Sequence, residues 1–350
     1  MYKKILCILL ISSLFLVFPL LAEGVPDGGT EEVTQPTMQI EPVTVRLAVL
    51  KGPTGFGYVH LLGDGGKLGL GVTVEAEVLP SPTEVAAKLI SGELDIATLP
   101  ANLAANLYNK GIDIQLAAVT GEGMLYFLSR DKSVDFSRKT IEQIAAEDTY
   151  LHVPAPGSTP DLVTRYILNG WGLEQAYQDA VLDFSIASPA QLAQMLIAGK
   201  IDYAVLPEPF ASMAELKSPD VYRTGDLQEP WFKMTGISSY PMTALVVQNS
   251  FAEKNTNALG RILQAVELSI STVLEDPSGA AALIEQFGIL SAGLAEPAIP
   301  RCSLMYQSGA DARESFEVYL EIMAELNPDS IGGKLPDEGF YMGTVIVYNK

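Results

Sequence analysis

The chain has 350 residues, enough for two domains each with its own core, and carries 42 acidic against 22 basic side chains for a formal net charge of −20. That balance disfavours nucleic acid and anionic membrane surfaces as partners. Two cysteines, Cys7 and Cys302, are too few for a disulfide framework, and His60 and His152 have no Cys or His at metal-ligand spacing, so neither metal nor cofactor is expected.

Met1 to Ala22 joins Lys3 and Lys4 to an apolar run from Ile5 to Leu21, with Leu20-Leu21-Ala22 as a cleavage site. This pattern predicts a secretory signal peptide over 1–22. A retained transmembrane anchor is the alternative, and Pro19 and Ala22 speak against it. Cys7 sits at the front of the apolar run, which disfavours a lipid anchor. Residues 23–43 are rich in Gly, Pro, Thr and acid without apolar period, as a flexible linker is.

Val43–Leu50 alternates and then turns wholly apolar, as a buried parallel strand does. The loop 51–57 (KGPTGFG) follows, with a short helix over Tyr58–Leu62. A second strand over Val72–Leu79, a helix over Pro82–Ser91 stopped by Gly92, and a strand over Leu94–Leu99 complete a strand-helix-strand series. Such alternation predicts a parallel sheet with right-handed crossovers.

The scheme then recurs. Residues 84–108 (EVAAKLISGELDIATLPANLAANLY) and 191–215 (QLAQMLIAGKIDYAVLPEPFASMAE), at a spacing of 107, agree at nine of 25 positions. Shared residues such as Gly92/Gly199, Asp95/Asp202 and Pro100/Pro207 spell helix, glycine stop, strand, proline and next helix. Around this second copy lie a strand over Tyr150–Val153, the turn-rich loop 154–160 (PAPGSTP), a helix over Asp161–Asn169 and a strand over Val181–Ala187. Two like lobes leave a cleft between them. Gly123–Leu128 and Met242–Val247 are the expected crossing strands, and the helices Ala258–Leu274, Ser278–Phe287 and Asp311–Leu326 are expected to pack on the first lobe.

In a doubly wound sheet, ligands sit beyond the carboxyl ends of strands. Four loops meet that description in matched pairs, 52–57 with 157–161 and 99–103 with 206–210. Thr54, Asn102, Ser158 and Thr159 can cap helix starts there or offer donors to a ligand. Glu208 stands where the first copy has Ala101, and a carboxylate facing the cleft would welcome an amine or ring N–H. No arginine falls in the four loops, which weighs against a bidentate clamp on an anion. Of Phe56, Tyr58, Tyr108, Tyr126, Phe210, Trp231, Phe232 and Tyr240, a stacked planar ligand would need one or two, and most are expected in the core, because aromatics are more often buried for packing than exposed for stacking. The glycines of 51–57 match neither a P-loop nor a dinucleotide fingerprint, and no Gly-x-Ser-x-Gly elbow is present.

The segments KGPTGFG, EVAAKLISGELDIATLPANLAANLY, LPEPF and SIGGKLPDEGFY resemble the substrate-binding proteins of ABC importers, most nearly the sulfonate and taurine binders and the thiamine-precursor (NMT1/THI5-like) binders. The resemblance covers nearly all of 44–340. It implies an α/β, two-lobed fold of the periplasmic-binding-protein type, with lobe 1 from 44–128 and 243–350, lobe 2 from 129–242, and hinges near Gly121–Arg130 and Tyr240–Asn249. It further implies a periplasmic, monomeric, non-enzymatic protein that hands a small molecule to a membrane permease. Carried over by position, ligand contacts fall at Pro53, Thr54, Gly55, Asn102, Ser158, Thr159 and Glu208. Glu208 and the missing arginine put an aminopyrimidine-like vitamin precursor ahead of a sulfonate. The alternatives are an enzyme on the same two-lobed fold, similar to the chorismate dehydratases, and a ligand-sensing surface protein. The Cys-rich motif and active-site histidine of the eukaryotic pyrimidine synthases of this group have no counterpart here.

Overall fold

The computed structural model describes residues 41–63, 65–343 and 345, so the expected leader and nearly all of the expected linker lie outside the described residues. The strands are β1 Val43–Leu50, β2 Val72–Leu79, β3 Ile96–Pro100, β4 Ile114–Glu122, β5 Leu125–Ser129, β6 Leu151–His152, β7 Leu182–Asp183, β8 Tyr203–Pro207, β9 Tyr222–Asp226, β10 Pro241–Gln248 and β11 Leu304–Ser308. They form two sheets, ordered β11-β4-β10-β3-β1-β2 and β7-β6-β8-β5-β9.

In the first sheet β1 runs parallel to β2 and β3, while β10 is antiparallel to β3 and β4. In the second, β6 runs parallel to β7 and β8, while β5 is antiparallel to β8 and β9. The plans coincide. Each sheet receives one crossing strand antiparallel to its neighbours, β5 following β4 across and β10 following β9 back, and the first sheet adds β11, antiparallel to β4, at its edge. Leu125–Leu128, expected with the first lobe, therefore pair in the second sheet. A wholly apolar run looks the same whichever sheet buries it, so composition alone does not assign it.

The repeat survives in three dimensions with its spacing intact. Helices Pro82–Ile90 and Pro189–Ile197, and strands β3 and β8, lie at the same offset as the sequence match. Ser81 Oγ accepts the Glu84 N–H at 3.3 Å and Ser188 Oγ accepts the Gln191 N–H at 3.4 Å, with proline at the first helical position each time. Val85, Ala86 and Leu89 are buried in one copy and Leu192, Ala193 and Leu196 in the other, at the spacing of one helix face. Gly92 (φ 74°) and Gly199 (φ 67°) end the helices in the left-handed region.

A further expectation differs from the structure. Instead of a strand over Val181–Ala187, a helix spans Gln175–Val181 and β7 keeps only Leu182–Asp183, because its partner β6 offers only two residues of ladder. Helices Thr256–Glu275 and Pro277–Gln286 pack on the first sheet, joining the apolar cluster of Val45, Leu47 and Val49. The last long helix, Arg313–Leu326, packs against β10 of the first sheet and also against helix Thr159–Gly170, which follows β6. Its buried face of Phe316, Tyr319, Leu320 and Met323 continues a cluster that includes Leu162, Trp231 and Tyr240.

Candidate functional site

A cleft of about 470 Å³ opens between the carboxyl ends of strands from the two sheets. From the first half come Leu50 and Lys51 after β1, Pro53 and Thr54, and Pro100, Asn102 and Leu103 after β3. Facing them are Pro156 to Pro160 and Pro207 and Glu208, with Met124 and Met242 from the crossing segments. Six of the seven expected ligand residues therefore share one cavity. Gly55 does not line it. A Cβ at that position would stand 2.6 Å from the Leu50 carbonyl oxygen, so Gly55 allows a close backbone approach.

Several polar side chains of the cleft are already engaged. Thr54 Oγ1 donates to the Leu50 carbonyl at 3.2 Å and Ser158 Oγ to the Pro154 carbonyl at 3.2 Å. The Thr159 hydroxyl shares a buried hydrogen bond of 2.8 Å with Tyr319. Asp161 accepts the Gly157 N–H at 2.7 Å and binds Arg165 Nε at 2.8 Å, which fixes the loop before its helix.

The groups that stay open include backbone, one ammonium and the Asn102 side-chain amide, which makes no hydrogen bond among the described residues. Helix Ala101–Asn109 starts behind Pro100, and helix Thr159–Gly170 behind Ser158, and neither start has a side-chain cap. The first N–H groups of a helix have no intrahelical acceptor and carry the positive end of its dipole. Both starts border the cleft from opposite sides. Lys51 adds a cation that forms no ion pair among the described residues.

Glu208 corrects an expectation. Its side chain is fully buried and turned to Arg223 at 2.6 Å, with Ser212 Oγ donating at 2.9 Å and the Ser212 N–H at 3.2 Å. Burial raises its carboxyl above the ordinary range, and the Arg223 guanidinium and the Ser212 donors partly offset that. The carboxylate is thus a helix cap and an ion-pair partner, with no free oxygen aimed at an amine. Arg223 lies on β9, outside the four loops, which is why the sequence showed no arginine near the site. None of the eight aromatics lines the cleft, and Phe56, Tyr58, Trp231 and Tyr240 are core residues, the reading their type favours.

Residues 56–285 match the NMT1-like family. The chain belongs to the NMT1-like family. A solved structure described as an ABC transporter from Parabacteroides distasonis is 30% identical, covers 86% of this chain and 99% of its own, and superposes with a TM-score of 0.72. The fold is also that of the periplasmic aliphatic sulphonate binding protein of Escherichia coli, at 15% identity, 89% and 95% coverage and a TM-score of 0.65. The periplasmic nitrate-binding protein of Synechocystis PCC 6803 is similar at 15% identity, 82% coverage of each chain and a TM-score of 0.59. The first is described as an ABC transporter and the other two as binding proteins, and none of the three descriptions names an enzyme. No curated protein matches the chain. Among the described residues, no helix is long and apolar enough to cross a membrane.

Proposed function

We propose that this protein is the extracytoplasmic solute-binding component of an ABC importer, and that its cleft captures a small organic anion with an aliphatic body. The observation that carries the ligand class is the pair of uncapped helix starts at Ala101 and Thr159, facing one cavity together with Lys51. Pro53, Pro100, Pro156, Pro160 and Pro207 with Leu50, Leu103, Met124 and Met242 supply apolar walls without an aromatic ring, which suits an aliphatic body better than a stacked heterocycle. The expected preference for an aminopyrimidine rested on a free Glu208, and Arg223 holds that carboxylate. On this reading the cleft loops are the ligand contacts, the two halves close over the ligand about the crossings near Gly123 and Tyr240, and a permease receives it.

A thermal-shift series tests the reading, since a ligand of the folded state raises the melting temperature. Alkanesulfonates and alkyl carboxylates of increasing chain length are expected to raise it, and Lys51→Gln is expected to weaken the effect. A rise with thiamine precursors or riboflavin alone would overturn the ligand class.

A further inference from the structure

Behind the cleft wall, four charged side chains of alternating sign run from the second half of the fold to the first. Arg223 on β9 holds Glu208 at 2.6 Å and Glu215 at 2.8 Å, and the Glu215 carboxylate in turn faces Arg301 Nη1 at 3.8 Å. Arg301 ends the short turn that leads into β11, a strand of the first sheet. A second link runs beside the first. The Arg223 guanidinium sits 3.9 Å from the centroid of the Tyr126 ring, and the Tyr126 hydroxyl donates to the Arg301 carbonyl at 2.9 Å.

We propose that Arg223 is the positioning residue of the cleft wall, and that through Glu215, Tyr126 and Arg301 it forms a latch setting the angle between the two halves. The latch joins three places that move against each other when such a cleft closes. Glu208 belongs to the wall itself, Tyr126 lies two residues past the Gly123–Met124 crossing, and Arg301 ends the turn that leads into β11 of the opposite sheet. Helices Phe210–Lys217 and Ala292–Ala298 pack at the same contact, so the charges sit on the seam. The burial gradient divides the labour. Glu208 is fully buried and Arg223 nearly so, and the two form the fixed end, whereas Arg301 is half exposed and forms the releasable end. The Glu208 N–H also donates to the Met124 carbonyl at 3.0 Å, so the fixed end is tied to the crossing itself.

Testing the latch needs no ligand. Spin labels at Glu84→Cys and Gln191→Cys, exposed and equivalent positions of the two repeats, report the distance between the halves in a Cys7→Ser background, with Cys302 buried and unlabelled. Arg301→Ala and Glu215→Ala are each expected to broaden the distance distribution of the free protein. The double variant is expected to broaden it no further than either single one, because the two side chains act as one contact. Arg301→Lys is expected to recover part of the narrow distribution while leaving the melting temperature near that of Arg301→Ala. A distribution unchanged in both single variants, or effects that add in the double one, would overturn the proposal. Neither outcome depends on which solute the cleft takes.

Discussion

The Thr159 hydroxyl and the Tyr319 hydroxyl meet at 2.8 Å, both buried, across a separation of 160 residues. Thr159 lines the cleft, yet its one polar atom looks inward and fastens the start of its helix to the last long helix of the chain. Leaving either hydroxyl without its partner strands a buried polar group, which costs about 1–3 kcal/mol. Tyr319→Phe and Thr159→Val are each expected to lower stability in that range by urea unfolding. The double variant should cost little more than one of them, and fully additive losses would refute the pairing.

Glu208→Gln separates a structural carboxylate from a ligand-binding one. Removing one partner of a buried ion pair costs on the order of 3 kcal/mol, and here the amide keeps an acceptor for Ser212, so a loss near or below that figure is expected. Binding of an alkanesulfonate identified by thermal shift should then change little once the variant is compared at a temperature where it is folded. A large loss of affinity with unchanged stability would make Glu208 a ligand contact.

The internal repeat made much of this architecture legible. The glycine stops and the apolar strands 96–100 and 203–207 follow from local chemistry that recurs at fixed spacing. Loops 99–103 and 206–210 were legible for the same reason, since they follow those strands, and loops 52–57 and 157–161 because each follows a strand that opens its sheet's parallel pairing. Strand β9, YRTGD, shows no buried alternation, so its existence and the Arg223 it carries gave no signal. The direction of a side chain was equally hidden. Thr159 and Glu208 look like ligand contacts in the chain, and only the placement of Tyr319 and Arg223, distant in sequence or on an unforeseen strand, turns them away.

His152 gives a pH prediction with a definite sign. Its Nδ1 lies 3.0 Å from the Asp183 carboxylate, but burial outweighs that attraction and lowers the folded-state pKa below the ordinary value near 6.5. The unfolded chain then binds the proton more readily, so this residue's contribution is fully present above about pH 6.5 and is lost as pH falls toward the folded pKa. His152→Gln is expected to flatten the decline in melting temperature between about pH 6.5 and pH 5, relative to the unmodified protein. A decline of equal slope in both proteins would show that other groups carry it.

The two glycine stops offer a test of the repeat itself. Gly92 and Gly199 both hold positive φ after matching helices, but their surroundings differ: a Cβ on Gly92 meets nothing within 4 Å, whereas one on Gly199 approaches the Arg130 guanidinium at 3.3 Å. Gly92→Ala should therefore carry only the left-handed backbone cost, about 1–2 kcal/mol. Gly199→Ala adds the displacement of a side chain that donates to the Leu196 carbonyl at 3.1 Å and faces Asp220 at 3.7 Å. The expected order of stability by urea unfolding is unmodified, then Gly92→Ala, then Gly199→Ala. Asparagine at position 92, which tolerates the left-handed region, should recover part of the loss; equal loss with alanine and asparagine would mean that something other than backbone strain sets the cost.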